Sequence, residues 1–207
     1  MDSSDHGKGD ASDGQLMLRY TRGDAGAFER IVRRYRNELF AFLARFLGDR
    51  TLAEDVFQET FLQVHLSAGG FDVSRRLKPW LFTIAANKAR DALRSRGRHP
   101  AAPLDAQVSS TGDEPTRYVD LMAAKIDQPG QTVENREAAD AVKSTVRQMP
   151  DNLREVLLLA YFHELPYKEI AEICGVPLGT VKSRLHVAVK EFGRRWKAAR
   201  GGSEDER

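Results

Sequence analysis

The chain has 207 residues, with 32 Lys or Arg against 30 Asp or Glu and a formal charge of +2, so it is no overall polycation drawn to nucleic acid by charge alone. Its single cysteine, Cys174, excludes an internal disulfide framework and any zinc site built from several thiolates. No apolar run approaches the about 18 residues of a membrane span, and the polar, acidic start MDSSDHGKGD has neither the charged nor the apolar part of a leader. A cytoplasmic protein without membrane insertion is expected. The charges are also segregated: residues 75–98 hold eight bases against Asp91 alone, residues 182–200 hold seven against Glu191, and residues 99–140 hold eight acids and three bases.

Residues 1–14, rich in Asp, Ser and Gly, offer nothing to bury and read as a disordered tail, with order beginning near Gln15. From Ala27 to Leu47, Phe28, Ile31, Val32, Tyr35, Leu39, Phe42, Leu43 and Phe46 recur at helical spacing, and Gly48-Asp49 ends that helix. Thr51 is placed to cap the next helix, with Glu54 completing a capping box, and Leu52, Val56, Phe57, Phe61 and Val64 form its inner stripe. The other face carries Asp55, Gln58, Glu59 and Leu62, which pattern alone would assign to a solvated surface.

Gly69-Gly70 opens a loop, FDVSRRLK, before a third helix expected to start at Pro79 and run to about Arg96. Leu81, Ile84, Ala85 and Leu93 would pack inward, with Lys88, Arg90, Arg94 and Arg96 on a basic outer edge. Phe71, Trp80 and Phe82 near these cations fit a site that stacks an unpaired base. On pattern alone a place in the core suits Trp80 and Phe82 better, and suits Phe71 less because it sits in a Gly-flanked loop. Residues 98–131 have turn-forming composition and little periodicity, which reads as a linker between two helical domains, 15–97 and 132–198, with 199–207 a tail. In the second domain, Ala138, Ala141, Val142 and Val146 make a stripe that stops at Met149-Pro150, and apolar periodicity resumes at Leu153.

Leu165 to Arg195 carries the most specific pattern. Ile170, Ala171, Ile173 and Cys174 form one stripe, Gly175 breaks it, Pro177 leads into a new helix, and Val181, Leu185, Ala188 and Phe192 form a second stripe. This is a helix-turn-helix, with small Ala171 at the crossing, Gly175 at the turn and Val181 where the second helix re-enters the core. A period of 3.6 residues then turns Ser183, His186 and Lys190 outward, flanked by Thr180, Lys182, Arg184 and Val187, a face suited to a major groove. Cys174, on an inner stripe, reads as a small buried apolar residue.

Three segments together resemble the extracytoplasmic-function (ECF) sigma factors, small two-domain members of the sigma-70 superfamily. AEDVFQETFLQVH resembles the segment that binds the clamp helices of the RNA polymerase largest subunit, FDVSRRLKPWLFTIAANKARDALRSR resembles the one that melts and reads the minus-10 element, and the helix-turn-helix resembles the minus-35 reader. The resemblance implies an all-α fold of two small helical domains and a transcription initiation factor that directs core polymerase to promoter DNA. It assigns Asp55, Gln58, Glu59 and Leu62 to core polymerase. It assigns Phe71 and Asn87 to a base flipped from the minus-10 strand, with Trp80 beside them and Arg75, Arg76, Lys88, Arg90 and Arg94 at its phosphates. Thr180, Lys182, Ser183, Arg184, His186, Val187 and Lys190 fall to minus-35 DNA, where Val187 departs from the basic residue often found. The polymerase flap and an anti-sigma factor are further implied partners, and the linker would thread toward the polymerase cleft.

No cofactor is implied. His163-Glu164-Leu165-Pro166-Tyr167 begins like a zinc-protease helix, but Tyr167 stands where the second ligand belongs and Pro166 would break the helix, so no catalysis is expected. A stand-alone helix-turn-helix regulator is the alternative, and it leaves the Asp55–Leu62 face and the basic third helix without a role.

Overall fold

Helix α1 (Asp13–Thr21) starts earlier than composition suggests. The Ser12 hydroxyl accepts from the Gln15 amide and the Gln15 side chain accepts from the Ser12 amide, a reciprocal cap that satisfies two donors the first turn leaves open. Asp13 is then tied to α2 (Ala25–Leu47) by Arg34 at 2.6 Å and by the Tyr35 hydroxyl. The computed structural model describes residues 11–97 and 133–201. The expected linker 98–131 and most of both expected tails therefore lie outside the described residues.

Gly48 ends α2 in the left-handed conformation, φ 65°, as the Gly48-Asp49 signal predicts. The cap of α3 (Arg50–Ser67) is Asp49 rather than Thr51: its carboxylate accepts from the Leu52 amide at 3.1 Å. The turn at Gly48 leaves Asp49 extended and one step before the first helical residue, so Thr51 falls inside the helix, and Glu54 pairs with Arg50 instead of closing a box. Likewise α4 (Leu77–Ser95) starts two residues before Pro79, which lies buried in the first turn where its missing N–H costs nothing.

The second group comprises α5 (Val133–Arg147), α6 (Asp151–Leu157) running into a wide turn over Leu158–Phe162, α7 (Tyr167–Cys174) and α8 (Leu178–Gly201). Gly175 closes α7 at φ 66°, a conformation that a Cβ would disfavour, and Pro177 offers its carbonyl to the Thr180 amide at 2.9 Å. Val181, Leu185, Ala188 and Phe192 are all buried, as their spacing predicts. Every described element is a helix or a helical turn, and none of the described helices is long and apolar enough to cross a membrane.

Packing between the two groups is extensive. α4 lies along α7, and α2 meets α5 and the Leu158–Phe162 turn, so the buried residues of both groups form one continuous cluster. Its centre is aromatic: Phe42 stacks on Phe46 with centroids 5.6 Å apart and meets Phe82 at 5.5 Å. His163, from the second group, enters this cluster edge-on to Phe42 at 5.7 Å. Burying rings of this size stabilises by about 1.5–3 kcal/mol each, so the contact between the groups belongs to the core.

Candidate nucleic-acid and partner interfaces

The third-helix site is built at the junction of the 71–76 loop and α4. Phe71 and Trp80 are half-buried and lie against each other with ring centroids 4.8 Å apart, while Phe82 is fully buried. Pattern alone allowed both Trp80 and Phe82 a place in the core. The helical period separates them, because two residues advance the face by about 200°. Asp72 shapes the loop by accepting from the Ser74 amide and hydroxyl at 2.9 and 2.7 Å, bonds that hold its carboxyl below the usual range. Gly70, Phe71, Arg75, Arg76, Trp80 and Thr83 line a cleft of about 670 Å³, large enough for a nucleobase, and its far wall is Glu169 and Glu172 of α7.

The basic edge of α4 is engaged rather than open. Arg90 binds Glu155 at 2.7 Å and donates to Asn87, Arg76 pairs with Glu169, Lys88 lies 3.6 Å from Glu59, and Arg94 pairs with Asp91. Asn87 is exposed on this edge, and Arg75 is exposed in the loop, where its amide bonds the Asp72 carbonyl at 2.9 Å.

On α3, Asp55, Gln58, Glu59 and Leu62 all face solvent. Leu62 is 59% exposed and Leu66, one turn on, 68%. Two bare leucines one turn apart beside acidic side chains suit a protein partner with apolar and basic groups.

On α8, Lys182 and Lys190 are exposed, whereas Thr180, Ser183 and His186 are partly covered and the Ser183 hydroxyl bonds the Thr180 carbonyl at 3.0 Å. Val187 packs against the core instead of standing out. Arg184 turns toward the first group and lines a cleft of about 450 Å³ with Arg90, Asp151, Glu155 and Cys174. Farther along, Arg194 and Arg195 both grip Glu191, at 2.8 and 2.6 Å.

Sequence reasoning missed the residues that join the two groups. Glu155 is 2% exposed; burial pushes its carboxyl up, with Arg90 pulling against it. Burial pushes the His163 imidazole down, against the opposing effect of Glu38, whose Oε1 is 3.4 Å from Nδ1. Burial raises Glu38 too, but His163 and Lys78, the latter at 2.5 Å, outweigh it and hold the carboxyl below its ordinary value. A signal was present for Glu155, an acid inside the apolar run Leu153–Leu159, since a carboxylate amid core residues needs a cationic partner from elsewhere. Cys174 is buried as expected, and burial raises its thiol.

Known proteins resemble the chain over most of its length. Residues 31–99 match the Sigma-70 region 2 family and residues 139–192 match Sigma-70, region 4. The chain is 34% identical over 165 residues to the ECF RNA polymerase sigma factor SigW of Bacillus subtilis, covering 80% of this chain and 86% of that one. It is also 34% identical over 173 residues to the RNA polymerase sigma-H factor of Pseudomonas aeruginosa, covering 84% and 88%. In fold it resembles the sigma factor RpoE solved with the anti-sigma factor NepR from Bartonella quintana, at TM-score 0.61 and 24% identity over 82% of this chain and 96% of that one. It likewise resembles CnrH solved with the cytosolic domain of CnrY, at TM-score 0.62 and 24% identity over 91% and 99%. Matched by both family models and 34% identical to these relatives over most of its length, the chain belongs to the ECF family of RNA polymerase sigma factors.

Proposed function

We propose that the chain binds core RNA polymerase in the cytoplasm and starts transcription at promoters whose minus-35 and minus-10 elements it reads itself, without catalysing a reaction. The observation that carries this reading is the cleft between Phe71 and Thr83. An aromatic pair, half-open to solvent, sits beside Arg75 and Arg76, so one stacked base and its flanking phosphates have partners within a single site, with Asn87 one turn of α4 beyond Thr83. Stacking is worth about 1–3 kcal/mol per base, which offsets the few kcal/mol needed to unstack it from the duplex.

In this reading the Asp55–Leu62 face of α3 meets the polymerase clamp helices. The face of α8 that includes Lys182 and Lys190 enters the minus-35 major groove, and residues 98–131 run toward the polymerase cleft. An anti-sigma factor is the natural negative partner, given the company in which the similar folds were solved. A stand-alone regulator would have no use for bare Leu62 and Leu66 beside an acidic face. Run-off transcription with purified core polymerase on a genomic promoter library, followed by start-site mapping, tests the whole reading. Specific starts are expected only when the chain is added. Asp55→Arg should weaken polymerase binding by several kcal/mol with the fold intact, because Asp55 lies off the buried stripe. Wild-type polymerase affinity in that variant would remove the clamp assignment.

A further inference from the structure

α2 and the start of α3 meet α5 and the Leu158–Phe162 turn around a cleft of about 500 Å³. It shares no residue with the surfaces proposed for polymerase, the minus-10 strand or the minus-35 groove. Four cations line it, Arg45, Arg50, Lys143 and Arg147, against the single acid Asp140 among the described residues. Its apolar wall is Val146 and Leu158, both buried, with half-buried Phe162. Carboxylates of the chain offset little of this charge. Lys143 lies 3.3 Å from Asp140 and Arg50 3.2 Å from Glu54, and such exposed pairs contribute little individually. Arg147 has no carboxylate partner among the described residues. Its side chain crosses Gly48 so closely that a Cβ there would stand 2.8 Å from Nε, which sets a cation at the C-terminal end of α2, where the helix dipole favours it. The Arg45 guanidinium lies over the Phe162 ring, 5.2 Å from its centroid, and adds a flat cation to the wall.

A basic rim by itself is a solvated surface, and an apolar hollow by itself is a packing gap. The two together, in a volume ordinary for a small-molecule site, fit a ligand with a flat apolar body and several negative charges. Guanidinium groups bind phosphate through paired, directed bonds. The geometry points to a binding site for a nucleotide, with its base against Phe162 and Leu158 and its phosphates among Arg50, Lys143 and Arg147. A small polyanion without a ring would leave the apolar wall bare. A strand of nucleic acid would need stacking platforms in succession, and Phe162 is the one aromatic ring among the described lining residues.

Isothermal titration of the full chain at moderate salt tests this, with ATP and GTP as probes. Adenosine and guanosine lack the phosphates, tripolyphosphate lacks the base, and a single-stranded oligonucleotide of randomised sequence represents nucleic acid. At least one of the two nucleotides should bind saturably at one site per chain. Its nucleoside and tripolyphosphate should each bind at least about tenfold more weakly. Lys143→Ala with Arg147→Ala removes two charge-assisted bonds and should weaken nucleotide binding by about a hundredfold. Arg22→Ala with Arg36→Ala makes the same change in net charge at exposed sites elsewhere and should leave binding unchanged. Ser144→Glu, at an exposed position of the lining, puts a carboxylate into the cleft and keeps the experiment valid if the double variant folds poorly. It should weaken nucleotide binding by about tenfold. The inference is overturned if neither nucleotide binds, if tripolyphosphate binds as tightly as the nucleotide, or if both cleft variants bind it as wild type does. An oligonucleotide that binds wild type and loses that binding in the cleft variants would make the cleft a nucleic-acid path, which overturns the inference as well.

Discussion

The two helices proposed to meet DNA, α4 and α8, are written alike and situated differently. Both carry an apolar stripe on one side and a dense set of Lys and Arg on the other: eight bases against one acid in residues 75–98, seven against one in residues 182–200. On α4 and the loop before it, the bases reach carboxylates on other helices, Arg90 to Glu155, Arg76 to Glu169 and Lys88 to Glu59. On α8, Lys182 and Lys190 stand in solvent, and Arg194 and Arg195 pair locally, within one turn, with Glu191. A basic helical face is thus a statement about charge, and what the charge meets depends on what packs across from it. The face of α4 looks across at an acidic helix of the same chain, whereas that of α8 keeps Lys182 and Lys190 in solvent on either side of partly covered Ser183 and His186.

The largest effect is expected at the buried pair. Arg90→Ala should cost about 3–5 kcal/mol at neutral pH, because it strands a carboxylate that is 2% exposed. Glu155→Gln should cost less, about 1–3 kcal/mol, since Arg90 keeps a path to solvent. The pH sign follows from the raised carboxyl. A protonated Glu155 tolerates burial, so the penalty of Arg90→Ala should shrink as pH falls toward the ordinary carboxylate value of 4.5 and be full well above it. Urea denaturation across pH measures this. A penalty larger for Glu155→Gln than for Arg90→Ala would mean that the two groups are not joined by this pair.

Next in size is the base cleft. Phe71→Ala should cost about 1–3 kcal/mol of stacking and slow promoter opening more than closed-complex binding, with Asn87→Ala acting in the same direction. Pre-melted templates should narrow the opening defect. Wild-type opening rates on duplex promoters in both variants would place the flipped base elsewhere.

On α8, Lys182→Ala should change which minus-35 bases are preferred, by about 1–3 kcal/mol at the contacted position. Arg194→Ala should leave preference alone and lower the salt dependence by less than about one charge, because Glu191 already neutralises part of Arg194 and Arg195. Holoenzyme binding to a panel of minus-35 duplexes at several salt concentrations separates the two. A preference change from Arg194→Ala and none from Lys182→Ala would reverse the face assigned to the groove.

The smallest effect concerns acid. His163 is faced by Glu38 and Arg45 of α2 and by Lys78 of α4, and its pKa lies below the ordinary 6.5. The site therefore favours the neutral ring, and its contribution is present above pH 6.5 and fades as pH falls through the lowered value. Glu38, also lowered, loses its contribution in the same direction. Mild acid should loosen the contact between the groups before either unfolds, and His163→Gln should flatten the dependence. Scattering profiles that stay the same from neutral to mildly acidic pH would mean that His163 does not control the contact between the groups.

The sequence by itself determined the helices and their inner faces. Val181, Leu185, Ala188 and Phe192 announce burial by spacing, and Gly48 and Gly175 mark two ends because a left-handed residue tolerates no Cβ cheaply. The signals that failed were short-range competitions, such as Asp49 displacing Thr51 at a cap one or two residues away. Only the tertiary structure decided that Glu155 meets Arg90, 65 positions earlier, that Glu169 meets Arg76, 93 positions earlier, and that His163 fills the aromatic core of the other group. Periodicity sorts residues into inward and outward on a single helix. It carries no information on which helix lies opposite, because that choice rests on complementary shape and charge between segments far apart in the chain.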